Sequence, residues 1–282
     1  MPWNRPIHEV SFVAFDLEAT GLTPMVDTVT EVGAVRFHIT RDGTVKQGPV
    51  MESLVCPGRE IPSRVSELTG IDDAMVRDAP TLEELWPRWN DFLTAEAPTV
   101  LMAHNARSDL AFLDSACRNM NLKWTPPPTL CTVRLARLLW PDAPRYGLEA
   151  LLDWLDPERE EVVHHRALPD ALHTRKLFSR CVAKTQPRDM AEVEWERALV
   201  PTENREVPVD APPRLAALAE AARDGRQVRL IYRGGTKGRE RRPITPLGFF
   251  QQGDLVYLRG WCHLDDLAKV FRCDKIRGLA SC

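Results

Sequence analysis

A single break in pattern constrains the fold of this chain more than any other feature. Up to about residue 184, short apolar runs alternate with segments of helical periodicity. From residue 213 onward one Ala-rich helical stretch is followed only by short strand-like runs and glycine-rich turns. Between them, residues 185–212 carry Pro187, Pro201, Pro208 and Pro212, the composition of a semi-rigid connector. Two domains are therefore expected, 1–184 and 213–282, joined by a Pro-rich linker at 185–212. A chain of 282 residues fits that count at about 150 residues per domain.

The first part reads as α/β. Residues 10–16 form a Val- and Phe-rich strand, ended by the turn signal Thr20-Gly21-Leu22-Thr23-Pro24. Residues 31–39 and 44–55 make two more strands, and Thr99–Ala103 a fourth. Thr81 and Glu84 form a capping box that starts a helix. Further helices are predicted over 108–120, 132–140, 148–155 and 168–183, with a short one at 190–199 inside the linker. This order predicts a mixed sheet covered by helices. The C-terminal part predicts a helix over 215–224, ended by Gly225, and strands over 227–232, 244–250, 255–261 and 268–273. That is the pattern of a small β-barrel.

Hydrophobic residues at 44% and charged residues at 27% exclude wholesale disorder. No apolar run approaches the ~18 residues of a membrane span, and the opening MPWNRPIHEV lacks the pattern of a signal peptide. The seven cysteines are irregularly spaced, with no C-x-x-C pair, which argues against structural zinc and fits free thiols in a cytoplasmic setting. The net charge of −3 conceals an asymmetry. Residues 213–282 hold 14 Lys and Arg against 7 Asp and Glu, and the remainder holds 23 against 33. A basic module can attract a polyanion, although basic residues also make ordinary solvated faces.

Three acidic motifs carry chemistry. Asp16-Leu17-Glu18 closes the first strand, and carboxylates at i and i+2 of an extended chain point to the same side. His104-Asn105-Ala106-Arg107-Ser108-Asp109 leaves the fourth strand at its carboxyl end, the edge where α/β sheets bind ligands. His165-Arg166-Ala167-Leu168-Pro169-Asp170 crosses a loop into a helix, with Pro169 suited to the first helical position. Singly these read as a solvated strand end, helix-dipole partners and a surface histidine. Jointly they suit phosphodiester cleavage by two Mg2+ or Mn2+ ions, hard cations that prefer oxygen ligands, with a histidine to take a proton from water.

From about Ser11 to Ala183 the chain closely resembles the DEDDh 3′–5′ exonucleases, relatives of the bacterial replicative proofreading subunit. FDLEATGL, HNARSD and HRALPD match the three motifs in order and spacing, and Leu68-Thr69-Gly70-Ile71 with Ala79-Pro80 is similar to the stretch between them. The resemblance implies a ribonuclease H-like fold, Asp16, Glu18, Asp109 and Asp170 as metal ligands, and His165 as general base. His164 is adjacent but lacks the five-residue spacing to Asp170. The resemblance also implies that Ala19 and Thr20 meet the 3′ end, that Leu22 packs on a base, and that His104 and Asn105 line the cleft. Ser108 departs from the family, which commonly has Phe there.

Residues 214–279 resemble the WYL domain, an Sm-like barrel preceded by a helix, through LAEAARDGRQVRLIYRGG, RRPITPLGFF, DLVYLRGWC and KVFRCDKIRGL. Val256-Tyr257-Leu258 stands at the signature, and Lys269 and Lys275 replace common arginines. This family is associated with nucleic-acid ligands and regulation. On the predicted strand Leu255, Tyr257, Arg259 and Trp261 share one face and Val256, Leu258 and Cys262 the other. Trp261 is expected in the core, and Arg242, Tyr257, Arg259 and Lys275 are expected to contact nucleic acid. The leading expectation is a metal-dependent exonuclease that shortens single-stranded DNA from its 3′ end. An exoribonuclease, or a nucleic-acid-binding regulator with a vestigial cleft, are the alternatives. The full acidic set and the lack of a helix-turn-helix signal weigh against the regulator.

Overall fold

The computed structural model describes residues 2, 5–156, 165–188, 190, 197–200, 207–233, 241–264 and 267–280. Contacts divide the chain into two compact units, Met1–Thr20 with Thr28–Val200, and Gly21–Asp27 with Pro201–Cys282. The helix expected at 190–199 falls mostly outside the described residues.

The first unit contains β1 (Ser11–Ala19), β2 (Val29–Ile39), β3 (Val45–Leu54), α1 (Ser63–Thr69), α2 (Asp73–Val76), α3 (Leu82–Thr94), β4 (Thr99–Ala103), α4 (Arg107–Asn119), β5 (Thr129–Cys131), α5 (Thr132–Leu139), α6 (Leu148–Leu155) and α7 (Ala167–Thr185). Its five strands lie in the order β3-β2-β1-β4-β5. β1 runs antiparallel to β2 and parallel to β4, so the sheet is mixed, as the order of elements predicts. Sequence patterning misses β5, which is only three residues long, and the short helices α1 and α2.

The two-residue period of β1 divides the core. Phe12 and Ala14 pack with Phe37, Leu135, Leu152 and Phe178 under α5, α6 and α7. Val13 and Phe15 pack on the opposite face with Trp89, Leu93 and Leu113 of α3 and α4. Phe12 stacks on Phe37 at 5.4 Å between centroids and meets Phe178 at 5.3 Å. Each fully buried side chain of this size contributes about 1.5–3 kcal/mol. α3 begins with the expected capping box, the Thr81 and Glu84 side chains each bonding the other's backbone N–H. Part of the Pro-rich stretch joins this unit. Cys131 N–H donates to Ala198 O at 2.9 Å and Val200 N–H to Thr129 O at 2.9 Å, which extends the free edge of β5. Met190 and Ala198 are buried in the same core as Phe12.

The second unit contains β6 (Val207–Pro208), α8 (Ala216–Arg223), β7 (Val228–Tyr232), β8 (Arg241–Gln252), β9 (Leu255–Cys262), β10 (Leu267–Arg272) and β11 (Ile276–Ala280). Its antiparallel sheet runs β10-β9-β8-β7-β11, with β6 paired to the end of β8. The expected small β-unit after a helix is present, but its sheet is not closed into a barrel. Among the described residues no pairing joins the edge strands β10 and β11. The core face is sealed instead by Leu215, Leu218 and Ala221 at and within α8, which pack on Leu230, Ile244, Leu258, Phe271 and Ile276. A helix on that face buries the apolar side chains without requiring the sheet to curl onto itself. Among the described residues no helix is long and apolar enough to cross a membrane.

Candidate active site

The alternation that buries Phe12 and Ala14 beneath α7 carries on to the end of β1, so Asp16 and Glu18 fall on the same face. On β2, Gly33 stands opposite Asp16 and Glu31 opposite Glu18. The first turn of α7 lies directly on Gly33. A Cβ added there would sit 2.2 Å from Leu168 N and 2.3 Å from the Ala167 carbonyl carbon, both backbone atoms. Glycine thus lets the helix approach the strand closely enough for Asp170 to join the site. Carboxylate oxygens of Asp16, Glu18 and Asp170 lie within 4.8 Å of one another. Asp109, in the first turn of α4, is buried beside them and accepts a hydrogen bond from the backbone N–H of Leu17.

These acids are short of compensation. Burial pushes Asp16 well above the carboxylate range, and Asp109, Glu18, Asp170 and Glu31 push it further. Glu18 rises to about 8 through burial and then through Asp170 and Glu31. Burial raises Asp109 to about 7. Like charges gathered out of water hold protons unless a cation replaces them. This donor set, hard oxygens crowded in one half-buried pocket, therefore fits hard divalent cations.

One charge in the neighbourhood is compensated, and its role is invisible in the motif pattern. Glu31 is fully buried on β2. Arg166 Nε donates to its two oxygens at 2.9 and 3.0 Å, and Arg166 Nη2 donates to Oε1 at 2.5 Å. The backbone N–H of Ala167 donates to Oε2 at 2.8 Å. Glu31 therefore both caps the N-terminus of α7, where the helix dipole favours an anion, and holds the loop carrying His165. A charge inside the apolar run of β2, followed two residues later by glycine, was the available signal. The helix starts at Ala167, so Pro169 occupies its third position rather than the first.

His165 is exposed, with φ at +69°, a left-handed backbone for a non-glycine residue beside the clamped Arg166. Such strain clusters at functional sites. His164 lies outside the described residues. His104 is largely enclosed, with Nε2 2.9 Å from the Tyr146 carbonyl and Nδ1 3.0 Å from Thr132 Oγ1. A carbonyl can only accept, so Nε2 carries the proton. Burial lowers the pKa of this ring and keeps it neutral. Asn105 follows at φ +66°. Thr20 is buried, and its Oγ1 accepts from Thr28 N–H at 3.1 Å, whereas Leu22 is 66% exposed. Ala19 packs at the margin of the α3/α4 core. On α7, His173 Nδ1 lies 3.0 Å from Glu149 Oε1 and 3.9 Å from Asp170 Oδ1, a contact no motif announced.

In the second unit Arg242 and Arg259 are both buried. Arg242 stands opposite Leu230, whose side chain belongs to the core. The Arg259 guanidinium lies over the Phe250 ring at 4.7 Å, and Phe250 stacks on half-buried Tyr257 at 5.3 Å. Trp261 is only half-buried, short of the core position expected for it, and Lys275 is half-buried in the turn before β11. The expected face of β9 is therefore real, with Tyr257 and Arg259 together, but Arg259 is covered.

A mixed sheet whose central strand delivers two carboxylates to a half-buried acidic pocket, completed from two flanking helices, defines a nuclease domain. The chain belongs to the exonuclease family, whose model matches residues 13–178, and a WYL domain model matches residues 213–281. It is 36% identical over 178 residues to the PolC-type DNA polymerase III of Caldanaerobacter subterraneus subsp. tengcongensis, covering 63% of this chain and 12% of that protein. It is 34% identical over 171 residues to the DNA polymerase III subunit epsilon of Aquifex aeolicus, covering 60% of this chain and 78% of that one. The chain thus spans only a small part of the PolC-type relatives. Among solved structures, the nuclease domain of 3′hExo, a DEDDh family member bound to rAMP, superposes with a TM-score of 0.54 at 18% identity, covering 61% of this chain and 92% of that one. That likeness shows the ribonuclease H-like exonuclease fold.

Proposed function

We propose that this protein is a 3′–5′ exonuclease that removes nucleotides from the 3′ end of DNA, single-stranded at the site of cleavage. The observation that carries this reading is the acidic cluster of Asp16, Glu18, Asp109 and Asp170, in which burial and the neighbouring carboxylates push Asp16 well up and burial raises Glu18 to about 8 and Asp109 to about 7. These four residues would hold two Mg2+ or Mn2+ ions, which supply activation of water and stabilisation of the leaving oxygen. His165, exposed at the start of the third motif, serves as general base, receiving a proton from water. Glu31 and Arg166 hold its loop in place. Ala19 and Thr20 at the end of β1 meet the terminal nucleotide, exposed Leu22 packs on a base, and His104 and Asn105 shape the cleft wall. The neutral His104 bridges α5 and the Tyr146 segment, and so sets that wall without adding charge.

The domain boundaries at 1–184, 185–212 and 213–282 fit the change of pattern, although contacts carry the first unit on to Val200. The WYL unit binds or senses nucleic acid. The six described cysteines form no disulfide, in keeping with a cytoplasmic protein. Oligonucleotides of DNA and RNA labelled at either end, incubated with Mg2+, with Mn2+ and with chelator, test the reading. Shortening of 5′-labelled DNA one residue at a time, only with metal, is the expected result. A labelled mononucleotide released first from the 5′ end would refute the polarity. Preferential loss of RNA would replace DNA with RNA as substrate, and no cleavage under any condition would favour a regulator with a vestigial cleft.

A further inference from the structure

The sequence points to Arg242, Arg259 and Lys275 as the basic contacts of the C-terminal unit, yet the structure buries the first two. The exposed arginines of that unit gather elsewhere. Along β7, Val228, Leu230 and Tyr232 turn into the core, so Arg229, Ile231 and Arg233 share the opposite face. Across the sheet, Ile231 stands opposite Arg241 of β8 on one side and Gly278 of β11 on the other. The register of β11 shifts between Ile276 and Gly278, and this irregularity sets Arg277 at the same edge. Arg229, Arg233, Arg241 and Arg277 are all exposed. None of their guanidinium groups makes an ion pair or hydrogen bond with a described residue.

The centre of this ring is hollow. A cavity of about 300 Å3 is lined by Ile231, Tyr232, Arg233 and Arg277. Its floor is apolar and its rim is cationic. The guanidinium groups of Arg233 and Arg277 at this cavity, with Arg229 and Arg241 exposed on the same face, match a base lying on Ile231, with the phosphates before and after it held by bidentate donors. An acidic peptide would satisfy the charge but would leave the apolar floor without a flat partner.

We propose that the outward face of β7, β8 and β11, made of Arg229, Ile231, Arg233, Arg241 and Arg277, is a binding site for single-stranded nucleic acid, one base on Ile231 and its flanking phosphates on the arginines. This rests on the reading that the chain acts on nucleic acid, and it assigns the C-terminal contact to residues outside the WYL signature. The site binds strand and takes no part in cleavage, so it affects long substrates and spares short ones.

The test uses the full chain, metal-free, and a fluorescent dT20 followed by anisotropy between 50 and 500 mM salt. A variant with Arg229→Gln, Arg233→Gln, Arg241→Gln and Arg277→Gln should bind at least tenfold more weakly at low salt. Its slope of log affinity against log salt should flatten by about 1.4, since each of the two flanking phosphates on a single strand contributes roughly 0.7. The corresponding Arg→Lys set should keep most of the slope, and its melting temperature serves as the control for folding. Should the fourfold Gln variant fail to fold, the pair Arg233→Gln with Arg277→Gln should show about half the change. With Mg2+, cleavage of a trinucleotide should be unaltered. An unchanged salt slope in a folded Gln variant would overturn the site, and so would displacement of dT20 by a mononucleotide as readily as by a second strand. If the wild type cannot cut the trinucleotide, the exonuclease reading fails separately.

Discussion

Replacing Gly33 with alanine probes how the active site is assembled, because it adds one methyl group far from any solvent-facing surface and touches no carboxylate. The added Cβ would stand 2.2 Å from Leu168 N, 2.3 Å from the Ala167 carbonyl carbon and 2.6 Å from its oxygen. Ordinary carbon contacts need about 3.5–4.0 Å. All three atoms are backbone at the start of α7, so no side chain can rotate away, and the helix end must retreat by about 1 Å or more. Asp170 travels with it, away from Asp16 and Glu18. A displacement of that size costs about 10²-fold in rate where reacting groups must be held in place. Overpacking adds about 1–3 kcal/mol of destabilisation. The assay is single-turnover cleavage of a short labelled oligonucleotide, with thermal melting alongside and Mn2+ titrated to saturation. The expected result is a folded protein, several degrees less stable, with a rate lowered about a hundredfold even at saturating metal. A variant within a factor of three of wild type would show that α7 does not rest on β2 as described, and the account of Asp170 would fall with it.

Other outcomes follow from the same geometry. Asp16→Asn should abolish cleavage yet raise the melting temperature in chelator, because it relieves repulsion among Asp16, Asp109, Glu18 and Asp170; turnover close to wild type in saturating Mg2+ would contradict the assignment. The metal-free wild type should lose stability as pH rises from about 4 to about 8. Across that range the unfolded chain has released protons that Glu18, at about 8, and Asp109, at about 7, retain when folded. Melting curves in chelator from pH 5 to 8.5 check the sign, and added Mn2+ should flatten the trend. His165→Asn should bind Mn2+ and oligonucleotide nearly as wild type does but cut about 10²–10⁴-fold more slowly. His164→Asn is the control, and reversed behaviour of the two would move the base by one residue.

Much of the first unit was legible because its elements follow local rules. The Val- and Phe-rich run of β1, the capping box of α3 and the glycine after α8 depend on neighbours within a turn or two of chain, which patterning captures. The chemistry was legible for the same reason. Asp16 and Glu18 share a side of any extended strand, and Asp109 and Asp170 sit in first turns that their flanking residues announce. Which residues meet across the sheet was decided only by the tertiary structure. That Gly33 must be glycine follows from a helix end more than 130 residues away in sequence resting on it. That Glu31 caps α7 and pairs with Arg166 follows from the register of β1 against β2. In the C-terminal unit the alternation on β9 was correct, but alternation cannot tell which face is covered. Burial depends on what else packs there, so Arg242 and Arg259 went inside and Arg229, Arg233, Arg241 and Arg277 stayed in water. Whether the sheet closed was equally beyond local pattern, since a helix that covers the apolar face removes the drive for its edges to meet.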